Sequence, residues 1–282
     1  MSSKMSRRAS LSSFLLFWGV FLSFGCAGRV WEGFPPHEVG LRLIKVPGLD
    51  DKDLTGVLYH PERGTLFVTS AQGEIAELSV EGEILHRKRI TGHLRGITYD
   101  PQINLLYLAV SGGDEIWECD PDSFEIKRRF KIDRSYGGGS NFLMRDGGRI
   151  EGIAFVPDAE HPEGGTFFVV NRMGFSGLLE VEVPLRSAKQ TAGSEARIIG
   201  CYDLGSTELT GIYYETRKDR FYVTSKGWNV LLTVSHSGRI LRKMPMPGYA
   251  QEGITLDTDG NIFLVQWYGG LTKVDFTHTY EH

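Results

Sequence analysis

Five short segments of the chain carry the same glycine, and the residue just before that glycine changes type from one copy to the next. The segments are Leu54-Thr-Gly-Val-Leu-Tyr59, Leu94-Arg-Gly-Ile-Thr-Tyr99, Ile150-Glu-Gly-Ile-Ala-Phe155, Leu209-Thr-Gly-Ile-Tyr-Tyr214 and Gln251-Glu-Gly-Ile-Thr-Leu256. The variable position therefore holds Thr55, Arg95, Glu151, Thr210 and Glu252. Small residues would suffice for packing there, and charge is costly to bury unless it is paired or solvated. Two carboxylates at equivalent positions could do general acid–base work, or hold a hard cation such as Ca2+ through oxygen ligands. Asn171 is the third candidate donor to such a cation beside Glu151 and Glu252. The bland alternative is a solvated channel with an Arg95–Glu151 ion pair.

Further chemistry-bearing residues fall at fixed offsets. Two positions before the variable residue stand Asp53, His93, Arg149, Glu208 and Ala250. After the second strand of each copy come Ser70-Ala-Gln72, Ser111-Gly-Gly-Asp114, Asn171-Arg172-Met173, Ser225-Lys226-Gly-Trp228 and Gln266-Trp267-Tyr268. Hydroxyl, amide and aromatic groups converging on one rim suit a sugar-like, peptide or small polar ligand, although Trp228, Trp267 and Tyr268 could equally cap the sheets. The candidate ligand residues are Arg95, Glu151, Glu252, Glu208, Asp53, Asn171, Lys226 and Trp267. Gly-x-Ser-x-Gly, His-Glu-x-x-His and Cys-x-x-Cys are all absent from the sequence. The triple glycine in Tyr136-Gly-Gly-Gly-Ser-Asn141 lacks the strand, Gly-Lys-Ser/Thr and helix context of a phosphate loop.

The elements that position these residues follow from the spacing. The shared glycines are Gly56, Gly96, Gly152, Gly211 and Gly253. Two of their separations are close to 40 residues, and the two longer ones contain visible insertions. A period near 40 with four short strands per unit is the pattern of a β-propeller blade. The first unit reads as Gly56–Tyr59, Thr65–Thr69, Glu74–Leu78 and Glu83–Arg87, punctuated by turn signals such as His60-Pro61 and Asp100-Pro101. The last unit lacks its outer strand. Gly40-Leu-Arg-Leu-Ile-Lys-Val-Pro-Gly48 reads like Gly238-Arg-Ile-Leu-Arg-Lys-Met-Pro-Met-Pro-Gly248, so the N-terminal strand should complete the last blade. Such closure removes the exposed edges of the ring. The expectation is an all-β, five-bladed β-propeller over 39–282, closed by pairing of the N-terminal strand into the last blade. A six-bladed ring is the alternative.

In such a ring the ligand face is expected where the inner strands begin, around the central channel. Asp133–Gly148 should lie on that face as a lid, and Leu185–Glu195 on the opposite face as a solvated loop.

The 282 residues carry 31 Lys and Arg against 35 Asp and Glu, a net charge of −4, and this mild acidity argues against a nucleic-acid binder, which usually shows a basic face. Three cysteines are too few for a disulfide scaffold. Lys4, Arg7 and Arg8 precede an apolar run, Leu11–Phe24, that ends at Gly25-Cys26-Ala27. That run is shorter than the ~20 residues needed to span a bilayer as a helix and fits a secretory signal. The Cys after a small residue resembles a bacterial lipobox, despite Ser23 where an aliphatic residue is usual. Residues 1–25 are therefore expected to be a lipoprotein signal peptide, Cys26 the lipidated residue and 26–38 a tether. A plain cleaved signal and an uncleaved anchor are the alternatives. Cys119 and Cys201 are expected as buried free thiols.

The motifs Leu-Thr-Gly-x-x-Tyr, Glu151-Gly-Ile-Ala-Phe155 and Gln251-Glu-Gly-Ile-Thr-Leu-Asp-Thr-Asp-Gly-Asn261 resemble those of the SdiA-regulated (YjiK-like) domain family, distant relatives of NHL-repeat propellers. A weaker kinship with esterase-like phytase propellers rests on the same Glu-Gly-Ile-Ala-Phe element. The resemblance spans roughly 40–277 and implies a secreted or membrane-anchored propeller without settled catalytic chemistry. The expectation is a monomer in the bacterial cell envelope, held to the membrane through Cys26. At the channel mouth it would bind a polar small molecule, a cation such as Ca2+ or an envelope protein. The alternative is a metal-dependent ester or phosphoester hydrolase at the same mouth.

Overall fold

A computed structural model describes residues 40–49, 53–139, 149–172, 175–187, 194–206, 208–246, 250–267 and 270–275. All of them fall within one compact unit, Glu32–His282. The expected signal peptide, Cys26 and the tether lie outside the described residues.

The strands follow the repeat. β1 (Gly40–Ile44) precedes the first meander, β2 (Leu54–His60), β3 (Thr65–Ser70), β4 (Glu74–Leu78) and β5 (Ile84–Arg89). Next come β6 (Leu94–Asp100), β7 (Leu105–Val110), β8 (Glu115–Cys119) and β9 (Ile126–Asp133). The third meander is β10 (Ile150–Pro157), β11 (Gly165–Asn171), β12 (Gly177–Glu182) and β13 (Ser194–Asp203). It is followed by β14 (Leu209–Glu215), β15 (Arg220–Ser225), β16 (Val230–Ser235) and β17 (Ile240–Pro245). The chain closes with β18 (Gln251–Leu256), β19 (Ile262–Gln266) and β20 (Gly270–Asp275). Among the described residues the only helical element is a single 3-10 turn, Thr216–Lys218.

β2 to β5 and β14 to β17 form separate four-stranded antiparallel sheets. A third has the order β1-β20-β19-β18, with Gly40 opposite Asp275 and Ile44 opposite Leu271. The N-terminal strand thus supplies the outer strand missing from the last repeat. The other two meanders merge into one eight-stranded sheet because β13 pairs in parallel with β9, from Ser194–Phe130 to Arg197–Asp133. The sequence pattern did not suggest that junction. β13 starts earlier and ends later than the alternation around Ala196–Ile199 indicates.

β2, β6, β10, β14 and β18 each pack against the next, and β18 returns to β2, so the first strands of the repeats line a closed ring. The shared glycines explain how closely they pack. A Cβ on Gly56 would lie 2.4 Å from the Arg95 carbonyl oxygen, and one on Gly96 would lie 2.7 Å from the Ile153 nitrogen. One on Gly152 would lie 2.7 Å from the Thr210 oxygen, one on Gly211 2.9 Å from the Gly253 Cα, and one on Gly253 3.0 Å from the Gly56 Cα. Backbone meets backbone around the whole waist.

Apolar side chains fill the wedges between neighbouring sheets. Leu58, Phe67 and Ile75 meet Leu94, Leu106 and Leu108, while Phe168, Val170 and Leu178 meet Ile212, Phe221 and Val223. Phe263, Val265 and Leu271 meet Leu54, Leu66 and Val68 across the closure. Cys119 is buried and Cys201 half-buried, and both are free. Burial pushes their thiols up to about 12 and about 11.

The segment after β12 departs from the expected solvated loop. Leu185 is buried in the core, and the buried Glu163 carboxylate accepts the Arg186 and Ser187 N–H groups at 2.5 and 3.1 Å. Residues 188–193 lie outside the described residues.

Gly96→Ala should cost about 2 kcal/mol or more, because its Cβ would strike backbone that cannot rotate away. Gly112→Ala has open space and should stay within about 0.5 kcal/mol of the wild type. Urea denaturation of the two variants checks the pair.

Candidate functional site

Every inner strand is irregular where it begins. The register against the second strand shifts between Leu54 and Gly56, Leu94 and Ile97, Ile150 and Gly152, Leu209 and Ile212, and Gln251 and Gly253. Each shift leaves an extra residue on the inner strand, as in a β-bulge, a device that re-aims a side chain. The displaced position is the variable one: Thr55, Arg95, Glu151, Thr210 and Glu252.

The two threonines have a structural role. Thr55 Oγ1 donates to the Leu94 carbonyl at 2.9 Å, and Thr210 Oγ1 to the Gln251 carbonyl at 2.6 Å, each tying one inner strand to the next. The charged members gather instead. Arg95 Nε lies 3.2 Å from Glu151 Oε2, and Lys226 Nζ lies 2.6 Å from Glu252 Oε1. Glu151 and Glu252 are 5% and 2% exposed, so both ion pairs sit in a largely dry setting. The Lys226 ammonium also lies 4.7 Å from the Trp267 ring centroid, a cation–π contact. Arg172 Nη2 is 3.7 Å from Glu208 Oε1 in a more exposed outer tier.

A repeated backbone bond brings the loop residues to this rim. The carbonyls of Asp53, His93, Glu208 and Ala250 accept the N–H groups of Ala71, Ser111, Lys226 and Trp267, the residues that follow the second strands. Lys226 and Trp267 are therefore equivalent residues of successive repeats, which is why they meet.

The Glu151 carboxyl is strongly perturbed. Burial pushes its pKa up to about 7, against a downward pull from Arg95; Glu252 raises it further, while Arg172 and Lys226 lower it. These five residues thus form one electrostatic unit. Arg95 contacts Ser111 Oγ at 3.5 Å, but its Nη1 is buried without a hydrogen-bond partner.

The other predicted residues divide. Asn171 is fully buried at the end of β11, next to Arg172. Asp53 exchanges hydrogen bonds with Gln72 at 3.2 and 2.9 Å, which holds its own loop in place. Asp114, which the sequence pattern places simply at the end of a loop, is fully buried and ion-paired to Arg134 at 2.5 Å. It also accepts the Ile150 N–H at 3.4 Å, anchoring the start of β10. The expected lid is described only to Gly139, where Tyr136 and Gly139 form an isolated bridge. Met173 and Tyr268 lie outside the described residues.

The cation set Glu151, Glu252 and Asn171 meets a physical competitor. Each carboxylate already faces its own fixed cation, whereas Ca2+ requires about six to eight oxygen ligands. Among the described residues no group of three or more His, Cys, Asp or Glu is arranged to hold a metal ion.

Meanders packed around a channel, with their first strands innermost and the last sheet completed by the N-terminal strand, define a β-propeller. No protein-family model matches the chain, and no curated protein matches it. Among solved structures it is similar to the glutaminyl cyclase of Myxococcus xanthus, at 15% identity and a TM-score of 0.58, covering 83% of this chain and 95% of that one. A protein of unknown function from Bacteroides caccae gives 12% identity and a TM-score of 0.49, covering 78% of this chain and 72% of that one. The Cps50 (Swd1) β-propeller domain of Myceliophteria thermophila gives 12% and 0.44, covering 80% and 65%. At these identities the likeness is one of fold.

The Glu151 shift carries a sign. Its pKa is raised in the folded state, so the fold binds a proton that the unfolded chain has released between pH ~4.5 and ~7. Stability should fall as pH rises through that window, by up to ~3 kcal/mol from this group. Glu151→Gln should flatten that slope, as read from urea denaturation at pH 5 and pH 8.

Proposed function

We propose that the chain is a five-bladed propeller of the SdiA-regulated type, the eight-stranded sheet being two blades joined at their outer strands. In this reading it is lipid-anchored through Cys26 in the bacterial cell envelope, and its channel mouth binds a small polar ligand. The observation that carries the ligand site is the buried cluster Arg95–Glu151 and Lys226–Glu252, with Arg95 Nη1 left without an acceptor. A buried donor without a partner costs about 1–3 kcal/mol, which a ligand oxygen would recover. The ligand class is therefore a small molecule with a carbonyl or carboxylate oxygen for Arg95 and an apolar edge for Trp267. A divalent cation is a weaker fit, since it would have to displace Lys226 and Arg95 from the two carboxylates.

A second reading rests on Glu151. A carboxyl whose pKa is about 7 can both give and take a proton near neutrality, as acid–base catalysis requires. Cyclisation of an N-terminal glutamine needs such a shuttle from the attacking amine to the departing ammonia. The similar fold of the Myxococcus xanthus glutaminyl cyclase makes that substrate class worth testing beside esters and phosphoesters.

A thermal-shift screen of the purified full chain against amino acids, dipeptides and small carboxylates should yield a stabilising ligand. Its effect should vanish in Arg95→Leu and persist in Asp53→Ala. No turnover is expected with ester, phosphoester or N-terminal glutaminyl substrates, with or without Ca2+. Turnover that Glu151→Gln abolishes would replace the binding reading with the enzymatic one.

For the anchor, palmitate labelling of cells expressing the chain should disappear in Cys26→Ser. Unchanged labelling would remove the lipid attachment from the proposal.

A further inference from the structure

The channel is not uniform along its length. At the repeat glycines it narrows to a space of about 10 Å3, lined by those glycines, the Val or Ile after each and, on the mouth side, Glu252. Beyond that waist, where the inner strands end, it opens into a cavity of about 250 Å3. This is the face opposite the charged mouth, and none of the expected ligand residues reaches it.

The wall of this cavity is unusual for its hydroxyls. Tyr59, Tyr99 and Tyr213 line it from three different repeats, together with Thr98 and Thr255. Tyr214, which also lines it, donates its hydroxyl to Asp219 at 2.8 Å. Among the described residues the Tyr59, Tyr99 and Tyr213 hydroxyls have no such bond. Thr98 and Thr255 use Oγ1 to accept the Phe155 and Tyr59 N–H groups at 3.1 and 3.0 Å, which leaves each hydroxyl hydrogen free to donate. Tyr99 and Tyr213 come from inner strands with β10 between them and line the same cavity, and the Tyr99 phenol adds to the rise of the Tyr213 pKa. Burial is the main cause of that rise and of the one at Tyr99, and it pushes both to about 12. The two phenols therefore stay neutral donor–acceptors at any physiological pH.

The carboxylates at the same wall are already engaged. Glu215 is held by Arg220 at 2.9 Å and Lys218 at 3.1 Å. Asp257 accepts the Asp259 and Asn261 N–H groups and the Asn261 side-chain amide. Thr216, Arg217 and Thr258 line its exposed rim, and much of the remaining wall is apolar, including Pro61 and Pro101. Inside the cavity the free hydrogen-bonding capacity is thus hydroxyl, able both to donate and to accept and set between apolar patches, while the Arg217 guanidinium at the rim adds N–H donors that a hydroxyl oxygen can accept as well as an anion can. A ligand that matches has hydroxyls around its edge and C–H groups on its faces. The volume lies just below the ~300–1,000 Å3 of sites for drug-sized ligands, which suits one six-membered ring.

The geometry points to a second ligand site in this cavity, one that takes a single neutral sugar ring, either free or as the terminal unit of a glycan. It is independent of the charged mouth, from which the waist separates it.

Saturation-transfer NMR on the purified full chain tests this with the methyl glycosides of glucose, galactose, mannose and N-acetylglucosamine as probes. At least one should bind with a Kd of about 10 mM or tighter. Its affinity should fall about tenfold in Tyr99→Phe and in Tyr213→Phe, each of which removes a single hydroxyl. Both variants should keep the wild-type denaturation midpoint to within a few degrees. Tighter binding of oligosaccharides ending in the same sugar would assign the site to a glycan terminus, and weaker binding to the free sugar. The proposal is overturned if no probe binds, or if binding survives unchanged in the double variant. Loss of binding in Glu151→Gln would overturn it too, by moving the sugar to the mouth.

Discussion

The structure depends on how closely the inner strands approach one another at the repeat glycines. At Gly56, Gly96, Gly152, Gly211 and Gly253 the neighbouring backbone stands where a Cβ would be, at 2.4 to 3.0 Å. That contact sets the radius of the ring and pinches the channel to a waist. It also forces the preceding residue out of register in every repeat. Close packing of the wedges between sheets follows, because side chains as large as Phe67, Phe168 and Phe263 fill the space left as the sheets diverge outward.

The same constraint concentrates charge. A residue displaced by a bulge beside a glycine cannot retreat into the sheet, so Arg95, Glu151 and Glu252 converge at one end of the channel. Burial then makes each charge depend on its neighbours. Glu151 answers to Arg95, Glu252, Arg172 and Lys226 together, and Lys226 is oriented by both Glu252 and the Trp267 ring. Removing one member changes the environment of the others, so the cluster behaves as a unit rather than as a set of separate pairs.

Much of this was legible in the chain because a repeat reports on itself. The glycine pattern, the four-strand rhythm and the likeness of Gly40–Gly48 to Gly238–Gly248 marked the inner strands and the strand that completes the last sheet. Arg95, Glu151, Glu252 and Lys226 were singled out by position and do meet. Asp53 occupied an equivalent place but turned to Gln72, since an exposed carboxylate takes the nearest donor. The role of Asp114 is not visible in the sequence, because burial cannot be read from Ser-Gly-Gly-Asp. The parallel β9–β13 junction and the burial of Leu185 escaped because they join segments about 60 residues apart with no shared motif.

What the sequence by itself determined is the periodic part: strand order, turn positions and the residues forced toward the axis. These follow from local alternation and from the inability of any other residue to fit where glycine does. Only the tertiary structure decided which charges pair, how far Glu151 is dried out, and that the channel's roomier end lies beyond the waist among tyrosines. Pairing and desolvation are properties of distance in three dimensions, and residues from different repeats acquire them only when the ring closes.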